Sequence, residues 1–341
     1  MKKKIVTAFL LGSLCLSLVG CEGKASTLPD NTTTLASISE NTQQETDTAK
    51  GNSDGEDVNN SIDSTLAFVD DLDNQIVISE AKKVAVMSGS FAQVWQLAGG
   101  DLYATTEDAW DDESLNLGDD VINLGSLKNP NVETIIDSDV DFAILSANIE
   151  GHVAIGDTLK NAGINTAYFD IETFDDYLDM LHICAEITGD AKAYKENGLE
   201  IKKQIEEQIE RVDGTEKNVL LIRAYSSGAK ARNSNNMTGK MLKDLGCTNI
   251  ADSDKGLLED LSMEAIIAQD PDYIFVTIMG DEDAALQTVE QLLTSNPAWN
   301  ELSAVKNNRY YVLDKELFHN KPNNRWGESY KILADILYGE Q

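Results

Sequence analysis

The sequence predicts an α/β protein made of two Rossmann-like lobes with parallel sheets, joined by a long helical connector. Three observations predict it. Short apolar runs alternate with amphipathic stretches through residues 84–169 and again through 217–338. Between them, residues 173–212 show helical spacing alone. One helix-then-strand phrase also occurs twice, as NVETIIDSDVDFAIL at 131–145 and SMEAIIAQDPDYIFV at 262–276. Glu133 meets Glu264, Ile135 and Ile136 meet Ile266 and Ile267, Asp139 meets Asp270, and Asp141 meets Asp272. One copy falls in each half, so the two lobes are expected to be built alike.

Taken in order, residues 1–20 (MKKKIVTAFLLGSLCLSLVG) read as a signal peptide: three lysines, a short apolar run and a small-residue end. The cysteine that follows resembles the end of a bacterial lipobox, which implies lipidation at Cys21. Residues 21–63 hold this cysteine and a Ser-, Thr-, Asn- and Asp-rich stretch with almost no large apolar residue, expected to be a disordered tether. As a coil of about 40 residues it would reach roughly 35 Å. No later stretch is apolar for 18 residues, so the lipid alone is expected to hold the chain to a membrane.

The first lobe is expected over 64–171. A hairpin turns around Asp71-Leu72-Asp73-Asn74, and VAVMS at 84–88 is a buried strand. FAQVWQLAGG is a helix stopped by its glycines. Strands follow at 102–105, 121–124, 141–146 and 166–169, with helices at 132–138 and 154–163. The connector, 172–213, shows one stripe of Phe174, Tyr177, Leu178, Leu181 and Ala185. A break at Thr188-Gly189-Asp190 precedes a second stripe of Ile201, Ile205, Ile209 and Val212. The second lobe, 214–341, reads NVLLIRAY, TNIAD, DYIFVTIM and RYYVLD as strands. TGKMLKDLG, SMEAIIAQD, AALQTVEQLLT and ESYKILADILYG read as helices.

Composition excludes some chemistry. The chain carries 59 acids against 27 Lys and Arg, a net charge of −32, which opposes nucleic-acid binding. It has three histidines and no HExxH, CxxC, GxSxG, P-loop or GxGxxG motif, so it is not expected to be an enzyme, and no protein metal site is assigned. Cys184 and Cys247 sit in apolar contexts and are expected to be buried free thiols.

Lipobox, tether, two α/β lobes and a helical connector together resemble the substrate-binding lipoproteins of ABC importers. Among these the chain is similar to the ferric-siderophore, haem and cobalamin class of periplasmic binding proteins. LGSLKNPNVETIIDSDVDFAILSAN, LEDLSMEAIIAQDPDYIFV, LTSNPAWNELSAVKNNRYYVL and LFHNKPNNRW carry the likeness, which spans about residues 65–341. The resemblance implies capture of a bulky iron chelate or tetrapyrrole, without a resident cofactor, by a monomer outside the cytoplasmic membrane. Delivery would be to a dimeric ABC permease, with Glu133 and Glu264 as one docking acid per lobe. A haem or cobalamin carrier, or a zinc or manganese carrier, are the alternatives.

Charge distribution selects the ligand residues. Residues 217–243 contain six basic side chains and no acid, and 317–327 contain His319, Lys321 and Arg325 without one. Arg223, Arg232 and Arg325 suit carboxylates and phenolates through a planar fork. Lys217, Lys240 and Lys243 are expected to be solvated surface. Phe91, Trp110, Met279 and Trp326 are candidates for an apolar wall. Lys128 and Met279 stand where some haem carriers have methionine and histidine, which weighs against haem ligation by that pair. Tyr225 or His319 could substitute.

Overall fold

The computed structural model describes residues 65–79, 81–259 and 261–339, all within one compact unit, Ser61–Gln341. The proposed signal peptide, Cys21 and the tether lie outside the described residues. A hairpin of β1 (Leu66–Val69) and β2 (Gln75–Ile78) opens the fold. Asp70 pins its turn by accepting from Leu72 N and Asn74 N, and it holds the hairpin to the first lobe by accepting from Tyr168 N.

The first lobe runs β3 (Val84–Val86), α1 (Gly89–Leu97), β4 (Ala104–Thr105), β5 (Ile122–Asn123), α2 (Val132–Asp137), β6 (Phe142–Ser146), α3 (Glu150–Asn161) and β7 (Asn165–Phe169). Its sheet is parallel throughout, in the order β5-β4-β3-β6-β7. Both faces of β6 are buried, as a parallel strand covered by helices requires.

The connector is a helical hairpin, not one helix. Thr173 and Asp176 form a capping box that starts α4 (Phe174–Thr188). Gly189, at φ 76°, ends it in the left-handed region that glycine tolerates. The chain then reverses through α5 (Ala191–Tyr194), a π turn and α6 (Glu200–Ile209). The returning arm packs on α4 where Gly198 leaves room for Leu178, and Tyr177 Oη donates to Asn197 O at 2.8 Å.

The second lobe contains β8 (Lys217–Tyr225), β9 (Gly228–Arg232), α7 (Met237–Asp244), β10 (Cys247–Asn249), α8 (Lys255–Glu259) and α9 (Met263–Gln269). β11 (Tyr273–Ile278), α10 (Glu282–Val289), α11 (Ser303–Lys306), β12 (Tyr310–Val312), α12 (Lys315–Phe318) and α13 (Trp326–Tyr338) complete it. Its sheet corrects the expectation of two purely parallel sheets. The order β10-β8-β11-β12 is parallel, but β9 folds back antiparallel on β8 beyond the end of β10.

The repeated phrase is the same structure twice. Asn131 caps α2 and Ser262 caps α9, each accepting a hydrogen bond from the backbone N–H three residues on. Asp139 and Asp270 both take positive φ just beyond their helices. Asp141 accepts from Lys82 N and Lys83 N, and Asp272 accepts from Asn218 N, so each carboxylate fixes the start of the lobe's first parallel strand. One apolar core covers a face of each sheet separately. A third is shared, joining Val84 and Phe142 of the first lobe to Leu221 and Phe275 of the second through α4 and α13.

Candidate functional site

Both sheets change winding direction beside their first parallel strand, at β3/β6 and at β8/β11. In open α/β sheets the crevice at such a point, outside the carboxyl ends of the strands, is where ligands bind. Alternation along β8 decides what reaches it. Val219 and Leu221 enter the shared core, Leu220 and Ile222 the separate one, and Arg223 continues the first face past the core's edge. β9 adds to that face: Lys230 stands opposite Arg223, and Arg232 lies two residues further along. Arg223 Nε is buried with no acceptor. Burial and the neighbouring Arg232 hold its guanidinium below the usual arginine range, and only Glu172 opposes them.

The loop after α12 supplies His319 and Lys321. Thr238 Oγ1 donates to Phe318 O and Ser329 Oγ to Leu317 O, anchoring the turn that presents His319. His319 Nδ1 is buried without a partner. Burial first, then Arg223, Lys315 and Lys321, lowers its pKa to about 4, so the imidazole is neutral at pH 7. Lys321 reaches across to the first lobe and donates to Ile171 O. Lys240 of α7 makes a second crossing, with Nζ 3.8 Å from Glu172 Oε2. Asp170 at the end of the first lobe, with Glu172 and Asp176 at the head of the connector, supplies the answering acids: all three act on Lys321. Asp170 is fixed by Asn148 Nδ2 at 2.5 Å, and its own N–H donates to Asp71.

Of the sequence candidates, Arg223, Arg232, His319 and Lys321 therefore gather at the junction of the lobes. Tyr225, half-buried at the end of β8, packs over the turn at Gly228. Met279 follows β11, its N–H donating to Ala224 O and its side chain exposed. Lys128 is exposed on a loop that His152 holds: Ser146 N donates to Nδ1, and Nε2 donates to Leu127 O at 2.6 Å.

The other candidates stand apart. Arg325 is turned away in a two-point pair with Glu328, at 2.7 and 3.0 Å. Phe91 (4% exposed) and Trp326 (1%) lie in the shared core, Trp326 edge-on to Phe174, while Trp110 is exposed. Glu133 and Glu264 are exposed in the first turns of α2 and α9.

Two further expectations change or hold. Lys217 is not solvated: it is buried, pairs with Asp213 at 3.1 Å and lies 4.1 Å over the Tyr338 ring. Lys240 is tied up by Glu172. Cys184 and Cys247 are buried and free, and burial pushes both thiols up to about 12. Sequence reasoning missed Glu172 and Asp170, because no acid stands out among 59.

Among the described residues no helix is long and apolar enough to cross a membrane, and no cluster of three His, Cys, Asp or Glu could hold a metal ion. The Fe(3+)-citrate-binding protein YfmC of Bacillus subtilis is 27% identical over 199 residues, 58% of this chain and 61% of that protein. The match therefore spans under two thirds of that relative. A putative ABC transporter substrate-binding lipoprotein of the same organism, YhfQ, is 22% identical over 274 residues, 76% of this chain and 84% of that one. In architecture the chain is similar to the periplasmic catecholate-siderophore binding protein VctP of Vibrio cholerae. The TM-score is 0.64 at 15% identity, covering 80% of this chain and 99% of the other. Residues 84–317 match the periplasmic binding protein family, a solute-binding family, and the chain belongs to it.

Proposed function

We propose that this protein is a lipid-anchored, monomeric carrier on the outer face of a bacterial cytoplasmic membrane. It captures a bulky anionic ferric chelate between its lobes and delivers it to an ABC permease dimer. The carrying observation is Arg223, a half-buried guanidinium whose Nε has no acceptor, beside Arg232, His319 and Lys321. A partly buried cation without an acceptor carries a desolvation cost. A ligand that supplies carboxylate or phenolate oxygens removes that cost and gains charge-assisted hydrogen bonds. The names of two relatives, one for ferric citrate and one for an ABC lipoprotein, support the same reading.

Haem is the second reading, favoured by His319: a neutral imidazole is the form that ligates a metal. The test is an absorption spectrum of the purified protein. Fluorescence titrations follow, with ferric citrate, ferric catecholate and hydroxamate siderophores, haem, cobalamin, and zinc or manganese alone. Saturable binding of one ferric chelate, weakened in Arg223→Ala, is expected. A Soret band that shifts in His319→Ala would move the assignment to haem. Binding of bare metal, with indifference to every chelate, would overturn the proposal.

A further inference from the structure

The internal repeat preserves more than folding requires. Ile135 and Ile266 are both fully buried, and packing explains why each copy keeps them. Ile136 and Ile267 are the next residues, and packing does not explain them: they are 37% and 41% exposed. At the exposed position that follows, the two copies have drifted, with Asp137 against Ala268. Each exposed isoleucine lies three residues after the repeat's glutamate, so the two side chains are neighbours on one helix face. Each helix precedes a parallel strand and runs antiparallel to it. Its first turn therefore sits at the carboxyl edge of its sheet, the side on which the ligand crevice opens.

We infer that Glu133 with Ile136, and Glu264 with Ile267, are two matching contact points that seat the protein on a two-fold-symmetric permease. Each permease socket offers a basic group edged by apolar side chains. The inference rests on the docking role of the two glutamates and adds its apolar half. Charge complementarity chooses the occupant. A second copy of a chain at −32 would bring acid against acid, whereas a basic socket satisfies the carboxylate and lets the isoleucine leave water. The two members divide the work. Exposed charges act mainly on association and its salt dependence, and buried apolar contact acts on dissociation.

The test is surface binding of the full mature chain to the permease that supports its ferric-chelate uptake, held in lipid nanodiscs. Four proteins are compared: wild type, I136S/I267S, E133Q/E264Q and the control V153S, which removes an exposed apolar group outside the repeat. In I136S/I267S we expect dissociation faster by roughly ten-fold per site, with association, salt dependence and ligand affinity unchanged. In E133Q/E264Q, association should slow and lose its salt dependence. If the glutamate variant is impaired while the isoleucine variant matches wild type, the inference falls and glutamate docking stands. If neither differs from wild type, both fall. Should I136S/I267S lower the thermal midpoint, I136T/I267T gives the same readout with less loss of bulk. A changed sedimentation coefficient in place of a changed permease complex would assign the isoleucines to self-association and overturn the inference.

Discussion

Arg223→Met separates a ligand residue from a structural one by moving two measurements in opposite directions. The empty protein holds this guanidinium half-buried, its Nε without an acceptor and another arginine as its strongest charged neighbour. Methionine keeps the aliphatic stem and removes the charge. A hydrogen bond to a charged partner contributes about 1.5–3 kcal/mol, so affinity for a carboxylate-rich ferric chelate should fall by roughly 10- to 150-fold. Stability should not fall with it. The substitution relieves an unpaired, partly desolvated cation, and the thermal midpoint of the empty protein should hold or rise, a trade-off common at binding sites. Calorimetric titration with ferric citrate and scanning calorimetry of the unliganded protein read the two effects. A lower midpoint with unchanged affinity would show that Arg223 supports the fold, and the account of the site would fail.

The other outcomes concern the acid across the junction, the imidazole and the connector. Glu172→Gln should raise affinity for the same anion a few-fold, because Lys240 and Lys321 lose their internal competitor. Its stability cost should stay under about 1 kcal/mol, since the Lys240 pair is partly exposed. His319 titrates near 4 when folded and near 6.5 when unfolded, so the unfolded chain binds the extra proton between those values. The stability this contributes is complete above pH 6.5 and is lost as pH falls towards 4. His319→Asn should flatten that part of the midpoint-against-pH curve, and an unchanged slope would remove His319 as its cause. Thr173→Ala breaks the capping box and should cost about 1 kcal/mol in urea unfolding, with no change in ligand specificity.

Much of this was legible because the physics was local. The repeat announced two similar lobes, and the break at Gly189 announced the turn in the connector. What escaped lacked a local signal. β9 is GAKAR, short and with only two alanines on its apolar face, too small to signal a strand, and it forms because the upper edge of β8 is left unpaired past β10. The charge gap at 217–243 pointed to Arg223 and Arg232, yet it could not separate them from Lys217, whose partner Asp213 lies just before the gap. Arg325 shared its gap with His319 and Lys321 but is captured by Glu328, just past the end of that window. Phe91 and Trp326 could only be weighed as wall or core, since an aromatic side chain at helical spacing serves either.

The shared core bears on how such a site would work. Residues of both sheets pack into one continuous apolar body with α4 and α13, and close-packed interiors resist being pulled apart. Asn323, itself buried, adds a tie by donating to Ser90 O at 2.9 Å from the far end of the chain. Wide opening of the lobes would break this body, so the groups free to respond lie at its rim. There Lys321 already bridges the lobes through Ile171 O, and Lys240 pairs with Glu172 at the head of the connector. On the proposed function, an incoming anion would offer those two cations better acceptors and give Arg223 one it lacks. Capture would then be an exchange of partners across a nearly fixed gap, with selectivity set by how well a ligand's oxygens match cations already in place.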